Sequence, residues 1–263
     1  MEKEKLRLGG LALPNGVLVH GPTAWACAVR TDGGELKVAS GRKRFPASKV
    51  EQPLLRGPAR LLEAVSLLPR IRRRLPEARL PFERPGVLAA MLASAVVVRV
   101  VRDSARLTPA AQELLSGLLS LAPATFALRG GSLAAYHGAE HISIGTYEHG
   151  ESRPREHERC GSHLIGPLLL TSAIGGTLAA RAPVHLRAAA RAAGSLGALA
   201  ASTEIFGWMV RNPMNPVAKA LARPGHELQH RLATAQPTPE QIEVAEAALA
   251  ACLELERGDA GTD

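Results

Sequence analysis

The chain is 263 residues long, 46% hydrophobic but only 3% aromatic, and carries a formal charge of +8. With its apolar mass in Ala, Leu and Val, the composition suits closely approaching helices rather than a β-sandwich, and it offers few rings to stack on single-stranded nucleic acid. Cys27, Cys160 and Cys252 are an odd number without paired spacing, so no disulfide framework is expected and a reducing cytoplasmic side fits.

The start, Met1-Glu2-Lys3-Glu4-Lys5, is charged, and the apolar stretch after it is broken by Pro14-Asn15-Gly16, so no cleavable signal is expected. Val17-Leu18-Val19 and Trp25-Ala26-Cys27-Ala28-Val29 are short and β-prone, and Gly21-Pro22 separates them. Asp32-Gly33-Gly34 predicts a hairpin turn, with Leu36 and Val38 alternating on the returning strand.

From Pro58 to Leu68 the residues Leu61, Leu62, Val65 and Leu68 recur at helical spacing, and Pro69 is expected to kink or end that helix. Arg70, Arg72, Arg73 and Arg74 follow, with Arg42, Lys43 and Arg44 upstream. Such a basic amphipathic segment suits a lipid surface; RNA binding by the same arginines is the weaker reading.

Four stretches are nearly free of charge: Gly86 to Val98, Leu114 to Leu128, Leu164 to Ala180, and Ala192 to Val210, the last interrupted by Glu204. Each falls short of, or barely reaches, the roughly 20 apolar residues of a bilayer crossing. Arg99, Arg129, Arg181 and Arg211 close them, as at membrane boundaries; buried helices of an Ala-rich soluble bundle are the alternative.

The expected fold is mainly α: a helical, membrane-embedded bundle with a small N-terminal β-hairpin element. Residues 1–84 form a cytoplasmic hairpin plus basic amphipathic helix. Residues 85–212 form the apolar helical core, with a His-rich motif loop at 129–163. Residues 213–263 form a cytoplasmic helical tail, in which Thr238-Pro239-Glu240-Gln241 is a capping box before Ile242, Ala245, Leu249 and Cys252. Four crossings place both termini and the motif loop on the cytoplasmic side of the cytoplasmic membrane. Membrane lipid is the expected partner, nucleic acid is not, and a homo-oligomer or protein complex stays open.

Five of nine histidines, His137, His141, His149, His157 and His163, fall in one region. In His137-Gly138-Ala139-Glu140-His141 the two histidines are four apart, so on a helix both imidazoles point the same way and suit one divalent ion. Glu140 can then act as general base on water, the logic of H-x-x-E-H zinc enzymes; a solvated polar helix turn weakened by Gly138 is the plain alternative.

Glu204, an ionisable group inside an apolar segment, is the candidate third metal ligand; pairing with a basic residue is its alternative. His157, Cys160 and His163 form a competing ligand set, in which a thiolate favours zinc, or they orient the ligands from outside. Tyr147 and Glu148 can orient a ligand imidazole or supply an acid, or they are an interfacial Tyr and a solvated Glu.

Tyr136-His137-Gly138-Ala139-Glu140-His141 with Tyr147-Glu148 resembles the signature of the YqhQ-like family (domain of unknown function 1385), bacterial membrane proteins labelled predicted metal-dependent enzymes. Landmarks agree in order along the chain: Gly16-Val17, Gly21-Pro22 and Ala28-Val29-Arg30, Leu55-Arg56-Gly57, His157 with Arg159-Cys160-Gly161, then Glu204, Pro224-Gly225, Gln229 and Glu243-Val244-Ala245. The resemblance implies a metal-dependent membrane-associated enzyme. Ile142 stands where the family tends to have Lys, Leu18-Val19-His20 where it has a Met pair and Arg, and the apolar stretches are shorter. A zinc hydrolase of unknown substrate is the first reading, and a non-catalytic membrane or assembly protein with a structural His/Cys cluster is the second.

Overall fold

The computed structural model describes residues 5–129 and 131–259; most of the charged start, residues 1–4, and Gly130 of the expected motif loop lie outside the described residues. Four strands, β1 (Gly9–Leu13), β2 (Gly16–His20), β3 (Ala24–Arg30) and β4 (Leu36–Arg42), form one antiparallel sheet in chain order. The Asp32-Gly33-Gly34 turn joins β3 to β4 as expected, with Gly34 at φ 82° and the Thr31 amide donating to the Glu35 carbonyl. The hairpin is therefore half of a larger sheet, because Gly9–Leu13 pairs with β2.

Both faces of this sheet are covered. Leu18, Trp25, Cys27 and Val29 meet Leu67 and Ile71 of α1 (Arg56–Arg74), while Val17, Val19, Ala26 and Ala28 meet α5 (Ser132–His149) and α9 (Pro239–Asp259). Strand alternation sends successive side chains to opposite faces, so two buried faces make β2 and β3 apolar throughout. α1 runs through Pro69 to Arg74 instead of ending there. The missing proline N–H frees a carbonyl one turn back, at exposed Val65, where water can satisfy it.

α9 is no detached tail. Its capping box forms as expected, with the Thr238 amide donating to Gln241 Oε1 at 2.9 Å. Val244, Ala245, Ala248, Leu249 and Cys252 then pack into the sheet, and Glu256 Oε1 accepts from the Thr23 and Ala24 amides. The two ends of the chain thus close one core.

The apolar stretches become α2 (Pro85–Arg102), α3 (Pro109–Ser120), α4 (Ala122–Leu128), α6 (Ile165–Ala180) and α7 (Arg187–Arg211), followed by α8 (Pro216–Leu228). Gly175 and Gly194 let α6 and α7 approach: a Cβ on Gly175 would lie 3.0 Å from the Gly194 carbonyl oxygen. Thr171 Oγ1 donates across the same contact to the Ala198 carbonyl at 2.9 Å. Pro85–Arg102 and Gly161–Ala180 are long and apolar enough to cross a membrane.

Candidate metal centre

The expected motif loop is largely helix. α5 begins after Gly131 (φ 86°) and stops at Gly150 (φ 77°), whose amide donates to the Thr146 carbonyl at 2.8 Å. Leu133, Tyr136, Ala139 and Ile144 face the core, which turns His137 and His141 toward the segments 150–163 and 229–235. Gly138 is required by close approach: a Cβ there would stand 2.3 Å from the Ala235 carbonyl oxygen. That approach also lets the Ala235 amide donate to the Ala134 carbonyl at 2.9 Å.

His137 Nδ1 lies 2.8 Å from the Ala233 carbonyl oxygen, and His141 Nδ1 lies 2.6 Å from that of Arg155. A carbonyl can only accept, so in each ring Nδ1 carries a proton and Nε2 is the nitrogen left to meet a metal. The rings are neighbours, with centroids 4.3 Å apart. Cys160 Sγ lies 3.5 Å from His137 Nε2, and donor atoms of His137, His141 and Cys160 all fall within 4.8 Å of one another.

Around a tetrahedral zinc, bond lengths of about 2.0 Å to nitrogen and 2.3 Å to sulfur put neighbouring N and S donors about 3.5 Å apart. The donor set therefore fits a transition-metal ion. Burial lowers the His141 pKa, which keeps the imidazole neutral as a ligand must be.

Glu140 is buried beside this group, with Oε2 4.0 Å from His137 Nε2. Its side chain occupies the space over β1, where a Cβ on Gly10 would come within 2.2 Å of Oε1. Burial pushes its carboxyl pKa up, while the nearby His137 and His157 work against that rise.

The remaining candidates stand outside the ligand group. His157 Nδ1 accepts from the Arg159 amide at 3.3 Å and Nε2 reaches Glu148 Oε2 at 3.2 Å, so neither nitrogen is free for a metal. Glu148 is partly buried, which opposes ionisation. Its hydrogen bond to His157 and the Arg159 guanidinium, 2.7 Å away, nevertheless hold the carboxyl below the ordinary range. His163 Nδ1 accepts from Gln229 Nε2 at 3.3 Å. Tyr147 turns away from the histidines, and its hydroxyl accepts the Leu6 amide at 3.2 Å.

Glu204, expected as the third ligand, belongs elsewhere. Its Oε1 accepts from Arg56 Nε at 2.9 Å and from the Leu54 amide at 3.1 Å, and its Oε2 pairs with Arg56 Nη2. The arginine fork satisfies both carboxylate oxygens at the α1–α7 contact, and Cys160 is the third member of the group that could hold an ion.

Gln229 is a residue of this site whose contacts spacing could not reveal. Fully buried, its Oε1 accepts the His157 amide at 2.9 Å, while Nε2 donates to Ser162 Oγ at 2.7 Å and to the His157 carbonyl at 3.2 Å. It thus clamps the loop carrying Cys160 from both sides. Gln229 also opens a single π-helical turn, Gln229–Ala233, whose last carbonyl holds His137. A lone glutamine in a polar stretch carries no periodic signal, and a backbone carbonyl carries none at all.

Residues 132–255 match a family model described as "Protein of unknown function (DUF1385)". Over that stretch, 124 of its 263 residues, the chain is similar to this family. The DUF1385 match holds all three ligand candidates, Glu140, Gln229 and both carbonyls that orient the imidazoles, while Gly10 and the sheet lie before it. No curated protein and no solved structure matches the chain.

Proposed function

We propose that this chain is a membrane-anchored metalloprotein, with zinc as the ion and hydrolysis as its chemistry. The observation that carries the reading is the pair of Nδ1–H hydrogen bonds to Ala233 and Arg155. They commit both Nε2 atoms to the place where Cys160 arrives. Soft thiolate with imidazole selects zinc among common divalent ions.

Three protein donors leave one position of a tetrahedral ion open. When bound, the ion supplies a Lewis acid that eases the build-up of negative charge on an attacking or carbonyl oxygen. Glu140, beside His137 and shielded from solvent, would serve as the base that accepts a proton from a water held in this group.

Anchoring is supported by the outward faces of the apolar helices. Leu88, Leu92, Val96 and Val100 of α2 are all more than half exposed, and Val87 is its buried residue. Eighteen residues rise about 27 Å, close to the ~30 Å hydrocarbon core. The basic residues before Arg84 favour a cytoplasmic position for the sheet and the metal group.

Metal analysis of protein purified in detergent without chelators tests this. About one equivalent per chain is expected, lost in His137→Ala and Cys160→Ser and retained in Glu204→Gln. Finding no metal, or the same content in all variants, overturns the reading. A structural ion is the second reading, favoured by the burial of His141 and Glu140. Glu140→Gln should keep the metal and abolish cellular function if the centre is catalytic, but leave that function intact if it is structural.

A further inference from the structure

We infer that the N-terminal half of α1, with Phe45 and Leu54 beside it, lies in the plane of an anionic membrane surface. This rests on the proposed embedding of α2 and α6 but not on the metal. The buried apolar residues of α1, Leu67 and Ile71, lie in its C-terminal half, while the N-terminal half is held at its edges by the polar contacts of Arg56 and Glu63. Leu55, just before the helix, and Leu61, Leu62 and Val65 in its first three turns are exposed; Leu62 is 71% exposed. Phe45, on the preceding loop, is 83% exposed. Large apolar groups clustered this way require a covering partner.

Two observations identify the partner. The exposed cations Arg44, Lys49, Arg60 and Arg73 lie within or next to these segments in the chain, the composition of a helix lying at anionic headgroups. The face is also tied to α7, which packs on the apolar helix α6. A Cβ on Gly57 would meet Thr203 Oγ1 at 2.0 Å, and Glu204 grips Arg56 and the Leu54 amide.

The grip has a backbone cost. Leu54 sits at φ 67°, a left-handed conformation that branched side chains avoid, and its side chain is directed outward. The α6–α7 contacts, Gly175 on Gly194 and Thr171 on Ala198, run antiparallel, so Thr203 and the Gly57 that meets it lie toward the start of the Gly161–Ala180 segment, where that helix would leave the hydrocarbon. Cys160, one residue before the Gly161–Ala180 segment, stands at the end of a crossing helix, so α1 would help hold the metal group at the membrane surface.

The test uses the full chain in vesicles containing roughly one-third anionic lipid. A fluorophore is attached to Leu62→Cys, Leu92→Cys or Glu246→Cys in a Cys160→Ser background; Cys27 and Cys252 are buried. Leu62 and Glu246 are exposed and Leu92 is 63% exposed, so each variant is expected to fold.

The Leu62 probe should be quenched by a nitroxide near the headgroups and lose most of that quenching in neutral lipid. The Leu92 probe should respond to a nitroxide deep in the acyl chains in both lipids, and the Glu246 probe to neither. A water-like Leu62 probe beside a quenched Leu92 probe overturns the α1 proposal alone. Water-like signals at both positions overturn the membrane reading with it. A Leu62 probe shielded from lipid, with a shift that depends on protein concentration, assigns the face to a second copy and overturns the proposal.

Discussion

α5 and α2 are each 18 residues long and are used in opposite ways. α5 carries His137, Glu140, His141 and Glu148 and is buried along most of its length, between the sheet, α9 and the polar loop. α2, with no acidic residue and basic ones only in its last turn, buries Val87 alone among its described residues. Here the polar helix is the interior one and the apolar helix faces outward. In water that ordering would waste the hydrophobic effect. It is sensible if α2 faces lipid and α5 must withdraw charged chemistry from solvent.

The contrast can be broken most forcefully at α2. Leu92→Asp should raise the cost of membrane insertion by about 3 kcal/mol while leaving the metal group in detergent unchanged. Membrane fractionation together with metal analysis measures both. Loss of metal without loss of membrane association would show that the two regions are not separable.

On the sheet side, His20 tests how water-excluding the interior is. Burial, reinforced by Lys43 at 3.1 Å, pushes its pKa down to about 4. Between pH 6.5 and 4 the unfolded chain binds the proton that the folded chain refuses. Its contribution is therefore complete above pH 6.5 and falls by roughly 3 kcal/mol toward pH 4. Chemical denaturation at pH 7 and pH 4.5 should show a loss that is smaller in His20→Gln. An unchanged pH dependence in the variant would assign the slope to other groups.

A smaller effect isolates the clamp. Gln229→Leu should weaken metal affinity about 10–100-fold, because the Cys160 loop loses its buried anchor. With cobalt as the probe ion, the thiolate charge-transfer band should fall before the histidine-dependent signal does. Equal loss of both would mean general unfolding. The smallest change expected is at Glu204→Gln, which breaks a partly exposed pair worth about 0.5–1 kcal/mol and should leave metal content intact.

The strands from Val17 to Val38, the helical pattern from Leu61 onward, the four apolar stretches and the Thr238 capping box were legible because each is a local pattern in side-chain period or turn chemistry. The i, i+4 histidines were legible for the same reason: one helix turn sets both. Spacing also raised Cys160, but as a rival to Glu204 that it could not rank. Ranking required knowing which distant segments meet.

Cys160 comes to His137 across 23 residues and Ala233 across 96, whereas Arg56 reaches Glu204 from 148 residues away. Gly138 shows the same limit in a single residue. In the sequence it weakens a helix, and in the fold it is the gap through which Ala235 passes. The sequence by itself determined the elements, their apolar or polar character and the paired imidazoles, since these depend on neighbours along the chain. Tertiary structure alone decided which side chains meet those imidazoles, which carbonyls set their tautomers and which helix is buried, because packing brings together groups that no local periodicity relates.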